Sequence, residues 1–335
     1  MPKVSIVVPS FNHSQFLGQA IESVQAQSFQ NWQMHVIDDC STDDSMDVAG
    51  RYASSDPRVI VSLNPQNLGT YGTQARGLSV CEGEFVAVLN SDDYWHPLKL
   101  EMQVEFLEQH PEVPLCYVLG WKTDKHSRVS HDDDVHANWP KDQVQELFPW
   151  LLHENRVLAS GVVFRRRDVR FEPSLRYSGD WLSLLRLAYR SPVGCVPERL
   201  TYWRMHESNS YVLSRPRLLE EIRFRRAILS QTKNCDLGRF DARLVSHELG
   251  QCKMDLIALY VLAGDMGDAR GLALDLLTHS GGSRSHLRRA FGTFLSKDKV
   301  RRHLWGASGV DFLVYDDPQL IRDLQTLPPL DLDIP

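Results

Sequence analysis

The chain has 335 residues, of which 42% are hydrophobic and 24% charged, and its net charge is −6. Those proportions are typical of a globular protein with two domains, or with one domain and an appendage. The negative charge excludes the broad basic field that nucleic-acid binding requires, and no apolar run reaches the roughly 18 residues of a membrane span.

Six cysteines are scattered through the chain without a CxxC pair. This spacing favours reduced, mostly buried thiols over a disulfide framework or a zinc site. The N-terminus is not typical of a signal peptide, because Lys3 is followed by a strand-length apolar run and then Pro9. We therefore expect a cytoplasmic protein.

The first third of the chain alternates predicted strands with predicted helices. Four short apolar runs predict buried strands at Val4–Val8, Trp32–Ile37, Val59–Leu63 and Phe85–Leu89. A predicted helix follows each of them, the last one spanning Pro97–Gln109. Strands and helices that alternate over about 110 residues predict a parallel, doubly wound α/β sheet.

Three of these strands end in polar clusters, at Pro9–His13, Asp38-Asp39 and Asn90–Asp93. The carboxyl ends of parallel strands share one edge of the sheet, so the clusters are expected to converge on one crevice. Adjacent carboxylates repel unless a cation or hydrogen-bond donors offset their charge, and oxygen ligands suit Mg²⁺ or Mn²⁺. The alternative for Asp92 and Asp93 is an Asp-rich turn before a helix. Neither GxGxxG nor GxxxxGK[ST] is present, which disfavours dinucleotide and P-loop readings.

Further elements are predicted between residues 115 and 206. The predicted strands are Leu115–Trp121, Ala159–Phe164, Val193–Val196 and Leu200–Met205, and Val144–His153 is a predicted helix. The loop Lys122–Gln143 is dense in His and Asp, which allows a metal site, although a solvated loop or mobile flap is the favoured interpretation. Asp180 stands at the start of an apolar helix, where capping is the alternative to a chemical role.

Five segments in this order resemble a family 2 glycosyltransferase with the GT-A fold. They are VSIVVPSFNHSQFLGQAIESVQAQSFQNWQ, VIDDCSTDDS, NLGTYGTQARGLSVCEGEFVAVLNSDDYW, YSGDWLSLLRLA and YWRMHESNS, and together they cover about residues 2–212. The resemblance implies a GT-A-type (Rossmann-like), mainly parallel sheet flanked by helices. It also implies a nucleotide-diphosphate sugar donor, a divalent metal (Mn²⁺ or Mg²⁺) and inversion of the anomeric centre.

The resemblance assigns roles to individual residues. Pro9 and Phe11 match the loop against the nucleoside, and Asp39 matches the acid that hydrogen-bonds the base. A carboxylate accepts from an imide N–H, which favours uracil or thymine over cytosine. The remaining matches are Asp92 toward the ribose, Asp93 as metal ligand, Asp180 as general base and His206 beside the metal and diphosphate.

The chain departs from the family pattern at four positions, Gln74, Ala75, Asn90 and Gly179. The family often has Arg and Asn at the first two, Asp at the third and an acid at the fourth. The departures at Gln74 and Ala75 remove positive charge from the diphosphate site. Arg76, Arg165 and Arg204 are candidates to replace it, and Arg76 is predicted to contact the nucleotide.

The last third is predicted to be helical. Leu256, Leu259, Tyr260 and Ala263 form one apolar stripe, and Ala269, Leu272, Ala273 and Leu276 form a second after a Gly-Asp turn. This pattern predicts an antiparallel hairpin similar to one tetratricopeptide unit. The basic segment Arg284–Arg302 is interpreted as a solvated face on the catalytic domain, or alternatively as a dock for a protein partner, a membrane surface or the acceptor.

We therefore expect a catalytic domain over residues 1–213, with a nucleotide-binding half (about 1–110) and an acceptor-side half (111–213), and a mainly helical region over 214–335. The expected function is inverting, metal-dependent transfer from a UDP-sugar to a glycan, lipid-linked or protein acceptor, in polysaccharide, cell-surface glycan or glycoconjugate biosynthesis. Peripheral attachment at the inner membrane face is an alternative location. The alternative functions are a catalytically silent nucleotide-sugar-binding scaffold and a nucleotidyltransferase.

Overall fold

The computed structural model describes residues 1–207, 209, 214–279 and 318–334. The chain divides into two compact units, one of Met1–Leu147 with Asn155–Asn209, and one of Phe148–Glu154 with Ser210–Pro335. The second unit thus takes in a short segment from the middle of the chain. The expected functional division at about residue 213 stays a prediction.

The first unit is built on one mixed sheet. Its strands are β1 (Val4–Ser10), β2 (Trp32–Asp38), β3 (Val59–Leu63), β4 (Phe85–Val88), β5 (Tyr94–Trp95), β6 (Leu115–Thr123), β7 (Val129–Ser130), β8 (Val144–Gln145), β9 (Val162–Arg165) and β10 (Val193–Arg204). The order is β3-β2-β1-β4-β9-β6-β10-β5, with β7 beside β6 and β8 beside β10. The first four strands are parallel, as predicted, whereas β9 runs antiparallel between β4 and β6.

Helices cover the sheet because its strands are apolar on both faces. The helices of this unit are α1 (Ser14–Gln25), α2 (Ser45–Ser55), α3 (Gly69–Val80), α4 (Lys99–Gln109) and α6 (Gly179–Arg190). On one face, Ile6 and Val8 pack with Leu17 and Ile21 of α1 in a fully buried cluster. On the other face α3 lies directly on β1, because a Cβ at Gly77 would stand 2.4 Å from Val7 Cγ1.

Three predicted elements differ from the structure. The predicted helix Val144–His153 is instead β8 followed by the single turn α5 (Phe148–Leu151), because Val144 and Gln145 pair with β10. The predicted strand Ala159–Phe164 begins with a 3₁₀ turn at Ala159–Gly161. The two short strands predicted near residues 193–205 are one strand, β10, which keeps pairing with β6 through two register shifts.

The second unit is helical, with α5, α7 (Arg215–Gln231), α8 (Ala242–Ala263), α9 (Met266–His279) and α10 (Pro318–Thr326) among its described residues. The predicted hairpin is present: α8 ends at Gly264, whose φ of 81° only glycine adopts readily, and α9 begins two residues later. Both predicted stripes lie in one buried cluster. The basic segment Arg284–Arg302 lies outside the described residues.

Buried charges join α5, α7 and α8. Arg225 contacts the carboxylates of Glu221 and Asp255, and His153 lies 3.2 Å from Asp255 and 3.3 Å from Glu248. Burial alone would lower the pKa of His153, but the hydrogen bonds with Asp255 and Glu248 outweigh it and raise that pKa to about 9. A charged imidazole therefore ties the short α5 segment to α8 at neutral pH.

The six cysteines are unpaired thiols, as their spacing predicts. Among the residues that the structure describes, no helix has the length and apolarity needed to cross a membrane.

Candidate functional site

The loops after β1 and β2 are hydrogen-bonded to each other at the carboxyl edge of the sheet. The backbone N–H of Asp39 donates to the Ser10 carbonyl at 2.8 Å, and that of Thr42 donates to Asn12 Oδ1 at 2.8 Å. Asn12 has a φ of 53°, a left-handed conformation that Asn tolerates better than most residues. The predicted convergence of the polar strand ends is therefore observed.

Asp39 is buried at the N-terminus of α3. Its Oδ1 accepts from Asn64 Nδ2 at 2.6 Å and from the Leu68 N–H at 2.7 Å, and its Oδ2 accepts from the Gly69 N–H at 2.8 Å. The carboxylate thus satisfies amide groups that begin the helix and that no intrahelical carbonyl can reach. A carboxylate has about four acceptor positions, so one remains for a ligand.

The other predicted nucleoside contacts lie close to Asp39 in the fold. Pro9 is buried within β1, while Phe11 is 45% exposed on the loop that follows. An exposed ring at a loop tip offers a flat apolar surface. Arg76 lies behind Asp39: its Nη1 donates to the Leu63 carbonyl at 2.7 Å and contacts Asn64 Oδ1. It therefore supports the Asn64 side chain that holds Asp39.

Asp92 meets two histidines, and we call His13, Asp92 and His206 the His-Asp-His cluster. His206 Nε2 lies 3.0 Å from Asp92 Oδ2, and the three potential ligand atoms all lie within 4.8 Å of one another. His13 Nδ1 forms a 2.8 Å hydrogen bond with Ser91 Oγ, which orients the ring. Burial lowers the pKa of His13, which keeps the imidazole neutral.

The donor set of this cluster fits a divalent transition metal. Neutral imidazole suits metals such as Mn²⁺, iron and Zn²⁺, whereas Mg²⁺ prefers oxygen ligands. Two imidazoles and one carboxylate also leave coordination positions open for a ligand such as a diphosphate. Sequence reasoning did not select His13, although it placed the residue in the polar loop after the first strand.

Asp93 has a different environment from its neighbour. Its Oδ2 accepts from Ser160 Oγ at 2.5 Å, and its Oδ1 accepts from the Arg204 N–H at 3.0 Å. Burial and the nearby Asp92 charge raise the pKa of Asp93 to about 8. In the structure Asp92, and not Asp93, stands among the histidines, and the metal role of Asp93 stays a prediction.

The two other arginines considered for the diphosphate are placed differently. Arg204 is buried, with its guanidinium between the rings of Phe16 and Tyr94 and its Nε donating to the Asp92 carbonyl at 2.7 Å. It therefore brings a positive charge beside the acidic pair. Arg165 pairs with Phe85 at the opposite end of β4 and donates to backbone carbonyls there, so its assignment to the diphosphate site is wrong.

Asp180 lies in the first turn of α6, as predicted. Its Oδ1 accepts a 2.8 Å hydrogen bond from the Tyr71 hydroxyl, and Asn155 Nδ2 lies 3.4 Å from its Oδ2. A small cavity beside it is lined mainly by apolar groups, including Val88 and Leu184. Sequence reasoning missed both partners, because neither stands in a pattern that differs from an ordinary helix or loop.

The His-rich loop Lys122–Gln143 does not form a second metal-like cluster among the described residues, where the His-Asp-His cluster is the one found. His136 is fully buried, and its Nε2 accepts from the Gly120 N–H at 3.0 Å. Burial lowers the pKa of His136 to about 4, so this ring is a neutral structural group.

Comparisons with known proteins identify the domain. Residues 5–169 match the model of a protein family described as Glycosyl transferase family 2. A Mycobacterium bovis protein described as uncharacterized is 29% identical over 213 residues, which are 61% of this chain and 59% of that protein. TuaG of Bacillus subtilis, named as a teichuronic acid biosynthesis glycosyltransferase, is 38% identical over 106 residues, or 32% of this chain and 42% of that protein.

Two solved structures share the fold. TarS 1–349 of S. aureus, in complex with UDP-GlcNAc, superposes with a TM-score of 0.59 and 18% identity over 88% of this chain and 80% of that one. The mannosyltransferase PcManGT of Pyrobaculum calidifontis, with GDP-Man and Mn²⁺, gives a TM-score of 0.51 and 14% identity over 92% and 88%. The predicted GT-A fold is therefore confirmed. Since the family model runs from β1 through β9 on that fold, the chain belongs to glycosyl transferase family 2.

Proposed function

We propose that the chain is an inverting, metal-dependent glycosyltransferase that moves a sugar from a nucleotide-diphosphate sugar to a hydroxyl group. The observation that carries the proposal is the meeting of Asp39, the His-Asp-His cluster and Asp180 around the carboxyl ends of β1, β2 and β4. These are a buried acceptor for a base, a set of metal ligands and a carboxylate for proton transfer.

Each part has a place in the reaction. The acceptor oxygen forms a bond to the anomeric carbon, and the bond from that carbon to the diphosphate breaks with its electron pair leaving on the diphosphate. Attack from the face opposite the diphosphate inverts the anomeric centre. Asp180 takes the proton of the acceptor hydroxyl as general base. The products are the new glycoside and a nucleoside diphosphate.

The proposed metal ligands are Asp92, His206 and His13, with Asp93 close behind them. A bound divalent cation supplies positive charge to the leaving diphosphate. Arg204 adds a fixed charge through its contact with the Asp92 carbonyl at 2.7 Å. The imidazole ligands favour Mn²⁺ over Mg²⁺.

For the donor we propose a UDP-sugar. Asp39 keeps an acceptor position that an imide N–H of uracil can fill, with Pro9 and Phe11 beside the nucleoside. TarS is described with UDP-GlcNAc and with UDP, and PcManGT with GDP-Man, which supports a nucleotide-sugar in general.

The acceptor is proposed only by class, as a hydroxyl of a glycan, a lipid-linked sugar or a protein. The name of TuaG supports glycan biosynthesis at the cell surface. The chain spans 59% of the length of the first curated relatives, so these assignments concern the part of the activity that this chain can carry. We keep residues 1–213 as the proposed catalytic domain, and a protein or membrane partner of the helical region stays a prediction.

A nucleotide panel tests the donor. UDP, dTDP, GDP and CDP are each added with Mn²⁺, Mg²⁺ or EDTA, and the unfolding temperature is measured. A ligand at 100 times its dissociation constant adds about 2.7 kcal/mol to the stability of the folded state. We expect a rise with UDP or dTDP in Mn²⁺ that EDTA abolishes. Equal shifts with and without metal would contradict metal dependence.

His13→Ala and His206→Ala test the metal ligands. Each removes one of the three protein donors, so we expect Mn²⁺ affinity to fall at least 10-fold, as measured by equilibrium dialysis without nucleotide. His126→Ala is the matched control, because His126 is exposed in the Lys122–Gln143 loop and outside the cluster. Unchanged Mn²⁺ binding in both cluster variants would rule out this site.

A further inference from the structure

Gly179 is one of the departures from the family pattern, and the structure shows what occupies the space beside it. A Cβ built on Gly179 would stand 2.5 Å from Cγ of Tyr71 and 2.6 Å from Cδ2 of the same ring. Real Cβ atoms do not approach other atoms so closely. The Tyr71 ring therefore fills the volume that a side chain at position 179 would need.

The same tyrosine reaches the proposed general base. The Tyr71 hydroxyl lies 2.8 Å from Asp180 Oδ1, and the alternative acceptor, the Tyr177 carbonyl, is farther away at 3.3 Å. The side chain is only 7% exposed. Packing against Gly179 and the hydrogen bond to Asp180 thus act on one buried ring, at adjacent residues of α6.

The helix that carries Tyr71 is itself anchored at the site. Asp39 accepts from the backbone N–H groups of Leu68 and Gly69 at 2.7 and 2.8 Å, which fixes the first turn of α3. Tyr71 follows two residues later in that turn. The first turn of α3 therefore contacts both the proposed base-binding carboxylate and the proposed catalytic carboxylate.

We propose that Tyr71 is a positioning residue for Asp180 and takes the place of the side chain that Gly179 lacks. The inference rests on the proposed function, in which Asp180 is the general base. The hydroxyl fixes the rotation of the Asp180 carboxylate and holds it toward the acceptor. By donating to the charged form, the hydroxyl also favours the ionised carboxylate that a base requires.

Tyr71→Phe tests the hydroxyl while keeping the ring. A hydrogen bond to a charged group accounts for about a 10- to 100-fold effect, so we expect kcat to fall within that range. KM for the donor and UDP affinity are expected to stay within about twofold of the original, because Tyr71 does not contact the proposed ligands of the nucleotide. The acid limb of the pH–rate profile is expected to move to higher pH.

Tyr52→Phe is the matched control, because the Tyr52 hydroxyl also donates to a carboxylate, Glu22, at 2.6 Å, on helices that do not carry Asp180. We expect it to leave kcat and the pH–rate profile unchanged. If Tyr71→Phe behaves like Tyr52→Phe while Asp180→Asn is inactive, then Tyr71 only fills space and the inference is overturned. If Asp180→Asn is active, it is the proposed base that fails.

A double variant separates packing from positioning. Gly179→Ala forces the Tyr71 ring away, so both stability and kcat are expected to fall. Adding Tyr71→Ala removes the clash, and the unfolding temperature is expected to recover toward that of Tyr71→Ala alone. The value of kcat is expected to stay as low as in Tyr71→Ala, because the hydroxyl is still missing. Recovery of kcat together with stability would contradict a positioning role.

Discussion

Asp180→Asn is expected to lower the rate of sugar transfer by about 10³-fold, within the range that general-base catalysis supplies. The amide has nearly the same shape as the carboxylate and its oxygen can still accept from Tyr71, so the fold and the 2.8 Å contact are preserved. What is lost is the basic oxygen that takes the acceptor proton. Initial rates of product formation, measured at saturating donor and acceptor, give kcat directly.

Nucleotide binding separates a catalytic loss from a damaged site. We expect the Mn²⁺-dependent shift of unfolding temperature with UDP to be the same in Asp180→Asn and the unsubstituted chain. Asp47→Asn is the matched control, because Asp47 is likewise in the first turn of a helix, α2, but is exposed. Full transfer by Asp180→Asn would show that another group is the base. If the unsubstituted chain binds nucleotide but transfers no sugar to any acceptor, the scaffold alternative gains support.

Lys99→Met is expected to stabilise the first unit by about 3 to 5 kcal/mol at pH 6. Lys99 is fully buried in the first turn of α4, and its ammonium nitrogen has no hydrogen-bond partner among the described residues. Burial lowers the pKa of Lys99 from 10.5 to about 7. The Trp95 ring, 4.0 Å from Nζ, offsets only about 2 kcal/mol of the desolvation.

The effect of Lys99 has a defined dependence on pH. Between pH 7 and 10.5 the unfolded chain keeps the Lys99 proton and the folded chain releases it, so stability rises with pH across this window. The full penalty is present below pH 7. Methionine has a similar length and no charge, so the gain from Lys99→Met is expected to shrink toward zero near pH 10.5.

Urea unfolding at pH 6, 8 and 10 measures this prediction, with fluorescence and circular dichroism followed together because the chain has two units. Lys141→Met is the control, since Lys141 is exposed and its replacement is expected to change stability by less than about 0.5 kcal/mol at any of these pH values. A destabilised Lys99→Met variant would show that Nζ has a hydrogen-bond partner that outweighs its desolvation.

The parallel half of the sheet could be predicted because its signals are local. Runs such as Val4–Val8 are apolar at every position, which only a strand buried on both faces explains, and each ends in a turn or polar cluster. The same reasoning placed Asp39 and Asp92 at one edge, since parallel strands end together. It failed at Val144–His153, where pairing with β10 overrides a helical pattern in a short segment.

The resemblance to the family added roles that no periodicity carries, and the family itself is confirmed. It also directed attention to residues whose environment the structure changes. Arg165 was considered because it follows a strand in a basic cluster, yet β9 runs antiparallel, so its end lies at the far edge of the sheet. The direction of a strand depends on its neighbours, and the local sequence does not encode it.

By itself, the sequence determined the class of fold, the helical hairpin and the set of acidic residues at the strand ends, because burial and turn chemistry act over a few neighbouring residues. Only the tertiary structure decided which side chains meet. Asp92 and His206 are 114 positions apart, and Tyr71 and Asp180 are 109 apart. Such pairs depend on strand order, loop conformation and the approach of one helix to another, and these arise from packing of the whole unit.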